Sequence, residues 1–326
     1  MVLILDQNEV KSLITIKEVQ QVVEKALEAM GKGQYNMPKS CRIRIEKSHG
    51  LIEVMPAYLE TAQVVGLKWI SMFPENLQRY CLPNVNYYVY VFNSENGLPL
   101  GIVNGKDVTT MRTAAEGAVG AKYLSKRDSS VVGIVGAGVQ GRAQLRALSN
   151  IRKIKKVKVY DFVPQVSQKY AKEMSEEIGL QIEPVNEVKE AIEKMDIVVT
   201  CTTAEEPFVK SEWITEGTLI TVIGATAHRR EICSSVYRKI DKLVVDFIDQ
   251  ALETKQVVVP ISDGFLKKED IYGEIGEIVA SKKPGRTNRS ETILFQTTGL
   301  GLLDVAVTKM LYEKALKERV GTTIKI

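Results

Sequence analysis

Histidine is scarce. His49 and His228 are the only two in the 326-residue chain, which leaves little from which to build a histidine-based metal centre, and no metal is expected. Cysteine is sparse too. Cys41, Cys81, Cys201 and Cys233 lie far apart with no Cys-x-x-Cys pair, so neither a zinc ribbon nor a redox motif is expected. Scattered thiols without an export signal fit a reducing cytoplasm. The opening MVLILDQNEV has no basic residue ahead of its apolar run and reaches acidic Asp6 at once, unlike a signal peptide. No apolar run approaches the ~18–20 residues that span a bilayer, so no membrane association is expected. The surplus of 44 Lys+Arg over 40 Asp+Glu is small. With no basic-aromatic stripe beside it, nucleic acid is not an expected partner. What the chain does have is ordinary globular chemistry: 44% hydrophobic and 26% charged residues, which excludes whole-chain disorder and a small disulfide-stapled fold. Its length suggests about two domains.

The order of elements changes character near residue 126. Before it, Ile16, Val19, Val23, Ala26, Leu27 and Met30 fall at three- and four-residue spacings and predict one face of a helix. Strand-like stretches follow at Cys41–Ile45, Leu51–Met55, Val64–Ser71, Val85–Phe92 and Leu100–Val103, broken by Gly, Pro and Asn turns. Consecutive strands without intervening helices predict a mostly antiparallel sheet, and a helix from about Val108 to Leu124 closes this half. From Ser129 onward strands alternate with helical stretches: Val131–Val135, Val157–Tyr160, Ile197–Thr200, Leu219–Ile223 and Leu243–Phe247. That alternation predicts a parallel, doubly wound sheet. The expected fold class is therefore α/β, a Rossmann sheet plus a discontinuous α+β domain. The latter spans 1–125 and is completed by 300–326, whose helix packs back on it. The Rossmann domain is expected at 126–299.

The strongest local signal is Gly136-Ala137-Gly138-Val139-Gln140-Gly141. It follows the strand VVGIV and opens the helix VQGRAQLRAL, the context a G-x-G-x-x-G dinucleotide fingerprint requires. Gly136 permits the tight turn, Gly138 the approach of a pyrophosphate, and Gly141 close helix–strand packing, while the helix N-terminus faces the phosphates. Twenty residues on, the strand VKVY ends in Asp161, placed to accept hydrogen bonds from an adenosine ribose and to repel a 2′-phosphate. NAD(H) is the expected cofactor. Two further strand ends, Thr200-Cys201-Thr202-Thr203 and Ile223-Gly224-Ala225-Thr226, suit backbone approach to it; Thr202, Thr203, Ile223 and Gly224 are the candidates. The competing readings are a glycine turn that binds nothing, or another nucleotide, and ordinary strand-end turns.

Met55-Pro56-Ala57, Gly66-Leu67-Lys68-Trp69, Met111-Arg112-Thr113-Ala114-Ala115 and Val135–Gln140 together resemble the ornithine cyclodeaminase/μ-crystallin family. The likeness continues through Gly276-Glu277, Pro284-Gly285-Arg286 and Thr298-Gly299-Leu300 to Asp304, so it covers nearly the whole chain in order. The family includes cyclodeaminases, archaeal-type alanine dehydrogenases, ketimine reductases and Δ1-pyrroline-2-carboxylate reductases. The resemblance implies a C–N bond beside a carboxylate, hydride exchange with nicotinamide, and a homodimer built through the non-Rossmann domain. It also implies that Arg42 and Arg112 bind the substrate carboxylate and that Lys68 is catalytic. The chemistry suits those types: a guanidinium holds a carboxylate through two parallel hydrogen bonds, and a lysine among arginines exchanges protons with an amine or imine.

Without that resemblance the same residues read differently. Lys68 becomes a solvated strand lysine beside Trp69, Arg42 and Arg44 the wet face of a sheet, and Arg112 a partner of Glu116 four residues on. One departure bears on the activity. Where the cyclodeaminases and alanine dehydrogenases of the family carry an aspartate after the glycine of the fifth Rossmann strand, this chain has Thr226, which cannot act as a carboxylate base. His228 nearby is either a proton carrier or a surface residue. Asn104 and Leu82-Pro83-Asn84 depart from the family pattern as well. The expectation is an NAD(H)-dependent oxidoreductase acting on a small α-imino or α-amino acid. The alternatives are an ornithine cyclodeaminase and a nucleotide-binding, crystallin-like protein with little catalysis.

Overall fold

The apolar spacing from Ile16 to Met30 produces the helix Ile16–Gly31, which buries Val19, Val23, Ala26, Leu27 and Met30. The Thr15 hydroxyl starts it by accepting from the Glu18 N–H, satisfying a first-turn donor that has no helical partner. The computed structural model describes residues 1–325. The chain divides into two compact units, Met1–Arg112 with Leu300–Ile326, and Thr113–Gly299.

Unit 1 carries β1 (Val2–Leu5), β2 (Tyr35–Asn36), β3 (Cys41–Ile45), β4 (Gly50–Leu59), β5 (Val64–Met72), β6 (Val85–Asn93) and β7 (Pro99–Asn104). Its sheet runs Thr322–Ile324, β1, β7, β6, β5, β4, β2, with β3 also paired to β4. Only β1 with β7 is parallel; the remaining pairs are antiparallel, as short turns between successive strands require. β1 has no counterpart among the sequence expectations. β4 continues past Met55, where the strand was expected to stop at Pro56. On its outer side β4 pairs with β3 as far as Val54 and with β2 from Tyr58. Pro56, which has no N–H to give, thus falls between two partners. The helix Gly301–Glu318 lies on β4, β5 and β6. Gly301 lets it approach closely, since a Cβ there would stand 2.8 Å from the Met55 Cβ.

Unit 2 contains β8 (Val131–Val135), β9 (Lys156–Tyr160), β10 (Ile182–Pro184), β11 (Ile197–Thr200), β12 (Leu219–Val222), β13 (Lys242–Val245), β14 (Ile271–Glu274) and β15 (Ile293–Gln296). All pair in parallel in the order β10-β9-β8-β11-β12-β15-β13-β14. β11, β12, β13 and β15 are buried along their whole length, which is why they read as apolar runs with no alternation. From β8 the chain goes first to β9 on one side and then to β11 on the other. That reversal is a topological switch point, where a doubly wound sheet opens a crevice at its carboxyl edge. The α/β fold class is the expected one.

The boundary differs from the expected 125/126. It falls at 112/113, inside the helix Gly105–Leu124. The physical reason is close packing of the helix's second half on the parallel sheet. A Cβ at Gly120 would lie 2.3 Å from the Phe295 ring, and Gln144 donates to the Thr113 carbonyl.

Candidate active site

In unit 2 the glycine turn takes the shape its residue types require. Gly136 has φ +104°, a backbone that L side chains rarely adopt. A Cβ on Gly141 would sit 2.2 Å from the Gly136 carbonyl oxygen, whereas one on Gly138 would meet nothing within 4 Å. Gly138 is the N-cap of the helix Val139–Ser149 and supplies no side-chain cap, so the first-turn N–H groups remain for an anion. Asp161 closes the turn: Oδ2 accepts from Ala137 N–H at 2.9 Å and Oδ1 from Val163 N–H at 3.0 Å. A cavity of about 520 Å³ at this switch point is lined by Gly136, Gly138, Asp161, Thr202 and Thr203, with apolar Val188 and Phe208. The open space before Gly138, the free helix end and the carboxylate fit a dinucleotide.

The other sequence candidates lie off that lining. Val139 and Gln140 form the first turn of the helix, Val139 largely exposed, and Gly141 is the packing glycine. Ile223 is buried and donates its N–H to the Thr200 carbonyl, which ties it to the neighbouring strand end; Gly224 N–H donates to the Thr297 hydroxyl. Thr226 is exposed, and its hydroxyl accepts from the N–H groups of His228 and Arg229. It folds a turn.

Glu231 escaped the sequence reading. It is buried, and its Oε1 accepts from the Thr202 N–H at 2.7 Å and hydroxyl at 2.6 Å, its Oε2 from the Thr200 hydroxyl at 2.6 Å. It thereby fixes the Thr200–Thr203 segment. Burial pushes its carboxyl up from the usual range, while the hydrogen bonds of Thr200 and Thr202 oppose that. In the sequence it is one more charge in the polar run His228-Arg229-Arg230-Glu231, and nothing local signals its burial.

In unit 1, Lys68 is 1% exposed, so the solvated-lysine reading fails. Alternation along β5 sends it toward the helix Gly301–Glu318, where its Nζ lies 2.9 Å from Oδ1 of Asp304. Arg112, 5% exposed, comes from the helix Gly105–Leu124 and places Nε 3.0 Å from Oδ2 of the same carboxylate. The Thr109 hydroxyl, one turn before it, donates to Oδ1 at 3.2 Å. Tyr87 sets its ring 5.3 Å from the Lys68 ammonium. Burial lowers Lys68 to about 8, against the pull of Asp304 and with the push of Arg112. Arg42 stands apart: it is 55% exposed on β3 and paired with Glu53 on β4 at 2.9 Å. Only Glu53, whose charge also reaches Lys68, relates it to the buried cluster. Asp304 was part of the family likeness but not a sequence candidate. Its signal was there, an acid inside the apolar run Leu302-Leu303-Asp304-Val305-Ala306-Val307, since a carboxylate is not buried without partners.

A fold with a dinucleotide crevice in one unit and a buried Lys–Asp–Arg cluster in the other defines a class of nicotinamide-type oxidoreductases. The model of the ornithine cyclodeaminase/mu-crystallin family matches residues 2–319, and the chain belongs to that family. It is similar to the alanine dehydrogenase of Archaeoglobus fulgidus, 36% identical over 99% of this chain and 98% of that one. Among solved structures it resembles Thermococcus litoralis Δ1-pyrroline-2-carboxylate reductase in complex with NADH and L-proline, at 40% identity and a TM-score of 0.93 over 99% of this chain and 100% of that one. An archaeal alanine dehydrogenase dimer with bound NAD also has a TM-score of 0.93, at 37% identity over 100% and 99% of the two chains.

Proposed function

We propose that this protein is an NAD(H)-dependent oxidoreductase that reduces the C=N bond of a small α-imino acid, or runs the reverse oxidation of an α-amino acid. The observation that carries the reading is the buried cluster of Lys68, Arg112 and Asp304. Two cationic side chains share the one carboxylate in direct contact with them, which leaves positive character to complement a substrate carboxylate. Arg112 binds that carboxylate and fixes the neighbouring carbon and nitrogen. Lys68, whose ammonium and amine forms are both accessible near pH 8, holds a proton at Nζ for the imine nitrogen and takes it back in the oxidation. Arg42, exposed and tied to Glu53, contributes at most at the rim. Gly136, Gly138, Val139, Gln140, Gly141, Asp161, Thr202 and Thr203 hold the dinucleotide, with Ile223 and Gly224 shaping the adjoining strand end. Bound NAD(H) supplies or accepts the hydride. Asp161 favours NAD(H) over NADP(H) through charge repulsion of a 2′-phosphate.

A preformed imine needs one proton per turnover, and unit 1 offers Lys68 for it. Cyclodeamination needs more proton handling, and Thr226, occupied in a turn, adds no carboxylate. The reductase reading is therefore favoured over the cyclodeaminase. The family likeness supports a homodimer; the archaeal alanine dehydrogenase was solved as a dimer. Four free cysteines suit the cytoplasm, and among the described residues no helix is long and apolar enough to cross a membrane.

The test is NADH consumption with Δ1-pyrroline-2-carboxylate, Δ1-piperideine-2-carboxylate, and pyruvate plus ammonia. One of these is expected to be turned over, and Lys68→Ala to lower kcat by about 10²–10⁴-fold. Tight NADH binding without turnover of any of them would favour the crystallin-like alternative.

A further inference from the structure

Resting on the reading above, we infer that Asp304 is the positioning residue of this site: one fully buried carboxylate, held by three side chains from two other elements, sets both the proton occupancy of Lys68 and the aim of Arg112. Its two oxygens divide the work. Oδ1 takes Lys68 Nζ at 2.9 Å and the Thr109 hydroxyl at 3.2 Å, and Oδ2 faces Arg112 Nε at 3.0 Å in an ion pair without hydrogen-bond alignment. Lys68 comes from β5, Arg112 and Thr109 from the helix Gly105–Leu124, and Asp304 from the first turn of the helix Gly301–Glu318. The positive end of the helix dipole lies at that first turn, beside the carboxylate. Leu302, Leu303, Val305, Ala306 and Val307 around it are all buried, so water has no place to substitute for a lost partner.

The charged and titratable groups facing Lys68 are Asp304 and Arg112 from the two helices, Glu53 from β4 and Tyr87 from β6. Glu53 is committed to Arg42 and to the Ser40 hydroxyl. Asp304 is thus the anion in bonding contact with Lys68. Asparagine in its place keeps the shape and removes the charge, leaving Lys68 beside Arg112 with only the more distant, Arg42-paired Glu53 as counter-charge. The ammonium form then becomes harder to hold.

The experiment is the pH dependence of imine reduction in wild type, Asp304→Asn and Asp304→Glu, beside NADH binding followed by fluorescence. In wild type, reduction is expected to fall as pH rises through about 8, where Lys68 loses its proton. In Asp304→Asn the same limb is expected to move acidward by ~1 unit or more, with the oxidation limb moving the same way. Asp304→Glu keeps the charge on a longer stem. It is expected to leave the limb near its wild-type place and to raise KM for the imino acid roughly tenfold, as Arg112 loses its aim. NADH binding is expected to stay unchanged in both, since the residues assigned to the dinucleotide belong to the other unit. A uniform loss of rate with the limb unmoved and KM unchanged would mean a merely structural Asp304 and would overturn the inference. Should both variants fail to fold, Thr109→Val removes one of the three contacts while keeping the charge. It is expected to raise KM several-fold, and an unchanged KM contradicts the proposal. Wild type that reduces no imine would sink the functional reading and this inference with it. Active wild type, inactive Lys68→Ala and an unshifted Asp304→Asn would sink this inference alone.

Discussion

Gly138 and Gly141 stand three residues apart in one turn, and the space around each assigns it a different task. A Cβ at Gly141 would collide with the Gly136 carbonyl oxygen, while one at Gly138 would point into open space. Gly141→Ala is therefore expected to destabilise the protein by about 1–3 kcal/mol through overpacking. Gly138→Ala is expected to leave the melting temperature unchanged yet weaken NADH binding by about tenfold or more, because the methyl group takes the space of the pyrophosphate. Thermal melting beside fluorescence titration of the two variants checks this. Equal effects on stability would refute the division of roles. Both tasks were legible in the sequence, because a glycine fingerprint is a local code. Asp304 and Glu231 were not, because their partners are remote: Lys68 reaches Asp304 across 236 positions (304 − 68), and no spacing rule connects them. What the sequence did carry was the two halves of the Lys68–Asp304 pair, an acid in an apolar helix and a lysine in a strand.

The helix Gly105–Leu124 ends on two guanidinium groups. Arg152 donates to the carbonyls of Ala121 and Lys122 from Nη2, and to the Ser125 hydroxyl and the Lys126 carbonyl from Nε. Arg286 Nε donates to the Leu124 carbonyl at 2.8 Å. Together they add charged donors to the last-turn carbonyls and meet the negative end of the dipole. Arg152→Ala is expected to lower stability by about 2 kcal/mol, as charge-assisted bonds to partly buried acceptors are lost. Chemical denaturation measures it, and a change below about 0.5 kcal/mol would show the end to be solvated instead. Elements of this kind were readable from apolar periodicity in both units, with errors where a second constraint overrode it. The strand expected at Leu51–Met55 runs on through Pro56, which sits where β4 lacks an outer partner. The boundary at 112/113 lies inside one unbroken helical pattern, so the periodicity that revealed the helix concealed the division. The first strand, Val2–Leu5, makes with β7 the one parallel pair of its sheet among the described residues, a pairing that depends on distant β7 and not on its own four residues.

At the scale of the whole molecule, one unit carries the buried Lys68–Asp304–Arg112 cluster and the other the glycine turn with its crevice. Order, glycine turn and family likeness made that division visible before any coordinates. The substrate was not visible, because it depends on which side chains surround the Lys68–Asp304–Arg112 cluster. The central step proposed for this protein is hydride transfer to a carbon beside nitrogen. It is tested most directly by incubating the protein with Δ1-pyrroline-2-carboxylate and NADH carrying deuterium on both positions of nicotinamide C4, then weighing the proline formed. One deuterium on the α-carbon of the product is expected with wild type, and negligible product with Lys68→Ala. Unlabelled proline appearing from ornithine with release of ammonia, and none from the imine, would contradict the reductase reading and make the protein a cyclodeaminase.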